Sequence, residues 1–277
     1  MPRHNRLILL HSFTTFSKSN QRMIFLLIAS HLVWGCALVG FWSTGRLFTT
    51  ASLVWSGLYL AFQLYAAAQL LLPALLIHPE DRNRGFYLFW GIVLLLSVWL
   101  LPQLCPSTTW QPLLSSFQSA LLLLVATVTG AAMARYIDKL WEIVPVCLVM
   151  TLADFASWLY GPTADFTQVI QQYYQAPSGP PPLVDMILVK LAFPGAPGLL
   201  PAFGISDWIM VVFFAIVAAR HEVNDNLLGV SGEKQARQGK IGYYLPVIRE
   251  RTSYFRTNIR TWWNDQFNNM SKKSNSF

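Results

Sequence analysis

The chain has 277 residues, of which 54% are hydrophobic, 14% aromatic and 12% charged. A soluble domain carries about 25% charged residues, so this composition excludes a soluble enzyme and a disordered chain, and three cysteines are too few for a disulfide scaffold. The net charge of +7 is concentrated at one end, with ten of the 20 basic residues from Arg220 onward; that placement fits anionic lipid headgroups better than nucleic acid.

Apolar runs of about 20 residues span a bilayer, and the order of such runs predicts an all-α polytopic membrane protein with six transmembrane helices. Residues 1–21 form a polar, basic cytoplasmic segment. The apolar run after it starts only at Met23 and lacks a small-x-small cleavage site, so it reads as a span and not a signal peptide. The expected spans are 22–43, 52–77, 86–104, 113–134, 140–161 and 198–220, the first four forming an N-terminal membrane part over 22–139. Between the fifth and sixth, the outer loop 162–182 holds no Lys or Arg and contains Pro177, Pro180, Pro181 and Pro182, and reads as an extended tether. The remaining 223–277 form a cytoplasmic tail in which Ile248, Phe255, Ile259 and Phe267 recur among Arg249, Arg256 and Arg260. That spacing suits a basic amphipathic helix in the membrane surface, or a tail that folds on a partner.

Basic residues orient the spans. With six spans, 18 of the 20 fall on one side, leaving only Arg46 and Lys190 on the other. Both termini are then cytoplasmic. Short loops and this bias point to a bacterial inner membrane.

Two carboxylates fall inside expected spans, Asp154 in the fifth and Asp207 in the sixth. On insertion scales each costs roughly 2.5–3.5 kcal/mol at a span centre, so such acids usually face protein or water. Consecutive helices run antiparallel, which allows the two to meet at one level. Two adjacent carboxylates share a proton, and such a pair can hydrolyse a peptide bond with water and no metal. The competing reading makes Asp207 a helix cap, since Gly204-Ile205-Ser206-Asp207 precedes an apolar run. For Asp154 it is a hydrogen bond to Thr151 or Ser157.

Around these acids the chain resembles the presenilin and signal peptide peptidase family of intramembrane aspartyl proteases, which carry a Tyr-Asp and a Gly-x-Gly-Asp motif on consecutive helices. Ala153-Asp154 stands at the first and Gly204-Ile205-Ser206-Asp207 at the second, with Ala153 and Ser206 replacing the family's Tyr and Gly. Val189-Lys190-Leu191-Ala192-Phe193-Pro194 resembles the Lys-Leu-Val-Phe-Pro stretch before the second motif. The likeness covers 140–222 and implies catalytic Asp154 and Asp207, with Gly204, Lys190 and Phe193 at the substrate edge. The family has two further spans after the second Asp helix and a Pro-Ala-Leu on the last. Here Pro73-Ala74-Leu75 lies on the second span, out of order. A divergent or inactive relative fits as well, as does a non-enzymatic subunit or scaffold of a membrane complex. A proton- or cation-coupled carrier is a third reading.

Other motifs carry less. Gly229-Val230-Ser231-Gly232 matches a serine-protease signature but sits in the polar tail. The five histidines are scattered without metal-ligand spacing, so neither metal nor cofactor is expected, and His31 reads as a hydrogen-bonded core residue. Ala126, Gly130 and Ala134 form a small-residue stripe suited to helix packing.

Overall fold

The computed structural model describes residues 18–48, 53–76, 84–104, 111–176, 181–221, Lys234 and Gln238. The basic tail beyond 222, its serine motif, and Cys105 therefore lie outside the described residues, apart from those two isolated positions. Residues 27–224 form one compact unit.

The chain is mostly helical. In order it forms α1 (Lys18–Gly45), α2 (Leu53–Ala68), the short α3 (Leu71–Leu76), α4 (Arg84–Leu104) and α5 (Gln111–Ala134). A 3-10 turn (Leu140–Glu142) leads into α6 (Ile143–Tyr160) and α7 (Pro162–Gln175). A second 3-10 turn (Leu183–Ile187) precedes β1 (Leu188–Ala192), β2 (Leu199–Gly204) and α8 (Ile205–Arg220). Four helical stretches are long and apolar enough to cross a membrane: Met23–Gly45, Leu53–Leu75, Gln111–Ala134 and Leu140–Tyr160. The apolar part of α4, Gly85–Leu101, is shorter.

The centre of the unit is α5, whose Ser119, Ala120, Leu122–Thr127, Gly130 and Ala134 are buried. Its main partner is α8, which contributes Trp208, Val212, Phe213, Ile216 and Val217 to the same core. The expected small-residue stripe on α5 is the reason they approach closely. A Cβ on Gly130 would stand 2.7 Å from the Ile209 carbonyl oxygen and 2.8 Å from the Val212 Cβ, so only glycine fits between these helices. At the far end of α8, Arg220 donates to the Ile137 carbonyl at 2.8 Å.

Two expectations need correction. The span at 198–220 is not one helix, because Leu199–Gly204 is a strand paired antiparallel with Leu188–Ala192. The all-α class therefore holds for everything described except this hairpin. The outer loop is not an extended tether throughout, since Pro162–Gln175 is helical. Proline is well placed at the first turn of that helix, where its missing N–H is not needed, and Asp165 sits in the same turn, favourably for the helix dipole.

A hairpin among apolar helices must satisfy its outer backbone groups from side chains. Gln63 of α2, fully buried, does this as a strand would: it accepts from the Ala192 N–H at 3.0 Å and donates to the Ala192 carbonyl at 2.7 Å. Ser119 of α5 accepts from the Lys190 N–H at 2.9 Å. The turn between the strands rests on the end of α1, with Gly195 N–H donating to the Gly45 carbonyl at 3.0 Å and Trp42 Nε1–H to the Pro197 carbonyl at 3.1 Å. Gly195 has φ +76°, a conformation that glycine adopts without penalty.

By contrast, α6 contains no buried residue. Ile143 and Val146 at its start touch the core, and beyond them it packs chiefly on α7, joined by a Ser157–Thr163 hydroxyl hydrogen bond.

Candidate active site

Asp207 is the third residue of α8, and its Oδ2 accepts from the Gly204 N–H at 3.0 Å. The physical cause is local. Gly204 at the N-cap has no side chain to hold the first amides, so the acid one turn on reaches back, as in the second half of a capping box. Asp207 thus caps the helix from inside its first turn, the N-cap position itself being Gly204 and not Asp207 as the sequence suggests, and the carboxylate is exposed. Gly204 has an ordinary extended φ of −77°. A Cβ there would lie 3.3 Å from Ser206 Oγ and 3.7 Å from Asp207 Oδ2, so a side chain would ask only a small shift of the exposed serine hydroxyl.

The strand leading to the acid is well anchored. Phe203 stacks on Trp208 with centroids 6.1 Å apart and planes inclined 24°. The Trp208 indole N–H donates to Thr127 Oγ1 at 3.3 Å. Asp207 therefore projects from the junction of a held strand and a buried helix, a rigid origin for a functional side chain.

Asp154 lies on the exposed part of α6 and makes no hydrogen bond or ion pair among the described residues; the expected bonds to Thr151 and Ser157 are not formed. The two acids share no hydrogen bond with each other. Asp154 is eleven residues along α6 from Ile143, about 17 Å of helix, and Asp207 is thirteen along α8 from Arg220, about 20 Å.

Lys190 is brought into a different constellation. Its ammonium donates to Asp185 Oδ2 at 2.5 Å, and Tyr174 O–H donates to Asp185 Oδ1 at 2.9 Å. The lysine and aspartate side chains are only 9% and 4% exposed. Burial, and then the neighbouring Asp185 charge, push the Tyr174 phenol above the usual tyrosine range. Phe193 is half-buried at the hairpin turn, packed against the core, and its carbonyl accepts from the Ala196 N–H at 3.1 Å. Of the expected site residues, then, Gly204 and Asp207 meet directly. Lys190 and Phe193 belong to the paired strand and turn, and Asp154 stands on a separate helix.

Sequence reasoning missed Asp185, Tyr174, Ser119 and Gln63. Asp185 carried a usable signal, being the acid five residues before the lone Lys190 in an apolar stretch. Gln63 and Ser119 carried none, because their partners lie 129 and 71 residues away. His31 is buried and Nδ1–H donates to the Leu27 carbonyl at 2.8 Å, the core role expected of it. Among the described residues no three His, Cys, Asp or Glu side chains gather as a metal site.

No family model matches the chain, and neither a curated protein nor a solved structure does.

Proposed function

We propose that this chain is an intramembrane aspartyl protease-like protein that hydrolyses peptide bonds of membrane-spanning segments, with Asp154 and Asp207 as the dyad. One observation carries the reading: the free edge of the hairpin leads straight to Asp207. The β1 edge is occupied by Gln63 and Ser119, and the sheet has two strands, so among the described residues β2 alone presents an edge. Such an edge accepts an extended peptide by strand addition. Pro201, paired with Lys190, supplies no N–H there, the position in which sheets tolerate proline. A substrate strand on β2 brings its peptide bonds past Gly204 to the exposed carboxylate. The reading requires Asp154 to stand beside Asp207; one ionised acid then takes a proton from water as the oxygen attacks the carbonyl carbon. The protonated partner supplies the proton for the leaving amine as the C–N bond breaks, and one water is consumed.

The same reading places six spans in the membrane, counting α4 and the hairpin with α8, with both termini cytoplasmic in a bacterial inner membrane. The basic tail then meets anionic headgroups. The test is double: cleavage of a transmembrane peptide in proteoliposomes by the wild type and by Asp154→Asn and Asp207→Asn, and oxidative cross-linking of Asp154→Cys to Asp207→Cys with the native cysteines replaced. The reading expects cleavage lost in both variants and a disulfide in the double-cysteine protein. Cleavage that survives either Asn variant, or the absence of the disulfide, refutes it.

One observation favours a second reading, a non-enzymatic subunit of a membrane complex: α6 buries no residue and carries Asp154 exposed. A protein partner covering α6 would pair that acid, and would appear as a stoichiometric companion on purification.

A further inference from the structure

The apolar pattern of β1 does not define its register. In an ordinary half-buried strand the alternation of apolar and polar residues resists a one-residue slip, because a slip turns every side chain to the other face. Here Val189, Lys190, Leu191 and Ala192 are all buried, so both faces meet core and alternation gives no discrimination. The side-chain clamps are equally blind. Gln63 and Ser119 bind the backbone groups of Ala192 and Lys190, which any residue would offer. The turn of residues 193–198 is long enough to absorb a slip, and the ladder already carries an irregularity between Val189 and Lys190.

One interaction depends on side-chain identity at one position of β1. Lys190 is the single charged residue of the strand, and in the observed register its ammonium meets Asp185, which Tyr174 holds from the opposite oxygen. Because Tyr174 ties Asp185 to α7, a slip of β1 that leaves that tie in place carries the ammonium away from its counter-charge while it stays buried, which is the costly case for a buried ion. A buried pair adds little net stability over apolar packing, and its best-attested use is to choose one arrangement among near-equals.

We propose that the Tyr174–Asp185–Lys190 cluster is the register lock of the hairpin, and that Lys190 is a positioning residue for Asp207 and not a substrate ligand. Its bearing on catalysis rests on the protease reading, but the lock itself does not. Register on β1 sets where β2 stands, with Lys190 opposite Pro201 and Leu188 opposite Gly204. Gly204 in turn gives its N–H to Asp207. The lock thus acts through the ladder on the strand edge and the acid at its end.

The experiment reads register directly. In the full chain purified in lipid nanodiscs, with Cys36, Cys105 and Cys147 replaced by serine, Ala192→Cys is combined with Leu199→Cys, its observed partner, or with Leu200→Cys or Gly198→Cys, the partners after a one-residue slip either way. Oxidation should join 192 to 199 and neither of the others. Asp185→Asn with Lys190→Met removes both charges together, leaving no unpaired ion to unfold the protein, and the amide oxygen that replaces the carboxylate can still accept from Tyr174. In that background the slipped disulfides should rise at least about tenfold, a modest fraction of what a broken buried pair costs. Exclusive joining of 192 to 199 in the double-neutral protein overturns the proposal. Because no step of the assay uses catalysis, an inactive dyad would leave this result standing, and a slipping hairpin would be seen whether or not peptides are cut.

Discussion

Replacing Gly130 by alanine is the sharpest test of the helix pair that carries Asp207. The added methyl carbon would lie 2.7 Å from the Ile209 carbonyl oxygen, 2.8 Å from Val212 Cβ and 3.0 Å from Val212 Cγ1. Carbon pairs are most comfortable at about 3.5–4.0 Å, so α5 and α8 must part by several tenths of an ångström or more. Neither obstacle can turn aside: one is helix backbone, the other a fully buried β-branched residue with one preferred rotamer. Overpacking of this kind costs typically about 1–3 kcal/mol, and alanine's better helix propensity returns about 1, leaving a net destabilisation of about 0–2 kcal/mol and a gap of about 1–3 kcal/mol from a control that gains the propensity alone. Gly40→Ala is the matched control, because a Cβ there meets nothing within 4 Å and only the propensity gain remains. Equilibrium unfolding in mixed micelles, followed by helical circular dichroism, compares the two variants with wild type. Equal stability of Gly130→Ala and Gly40→Ala would refute the claim that the α5–α8 approach is set by the missing side chain.

Three further outcomes follow from individual contacts. Gln63→Leu strands the buried N–H and carbonyl of Ala192 together, at about 1–3 kcal/mol for each unsatisfied group, and should show both a lowered unfolding free energy and faster amide exchange at Ala192. Asp207→Ala removes the acceptor of the Gly204 N–H and should lower stability by about 0.5–2 kcal/mol, whereas Asp207→Asn keeps an acceptor oxygen and should unfold like wild type; equal losses in the two would show that the cap bond is not what holds this helix start. Tyr174 has its folded-state pKa raised by burial and by Asp185. Above the ordinary value of 10.0 the unfolded chain releases a proton that the folded chain keeps, so stability should be present below pH 10 and fall as pH rises beyond it. Tyr174→Phe should lack that alkaline decline in a pH series of unfolding midpoints, and an identical decline would show that the phenol is not the group responsible.

How far the sequence speaks depends on how local the cause is. Hydropathy finds the long helices because each apolar residue adds to the signal regardless of direction. The Asp207 cap was legible because donor and acceptor are three residues apart, within one helical turn. The hairpin was not, since Leu199–Gly204 runs straight into the apolar α8 and a short apolar run reads the same as strand or helix. Pro194, Gly195, Pro197, Gly198 and Pro201 disfavour a helix there, yet breakers say only what the segment is not. It becomes a strand because Gln63 and Ser119, from distant helices, supply the hydrogen bonds its outer edge needs. The α7 helix was misread for a related reason: the tether reading rests on the missing Lys and Arg and on prolines that all follow Gln175, and the Tyr174–Asp185 contact that holds the helix end is tertiary. Lys190 joins the two cases. In the sequence it is a lone charge in an apolar run, which the family resemblance assigns to a substrate edge. Once its partner is known, the same charge supplies the side-chain-specific contact that an otherwise apolar strand lacks. A charge that breaks an apolar pattern therefore has two explanations, a bound substrate or a buried counter-ion that sets alignment, and only the fold distinguishes them.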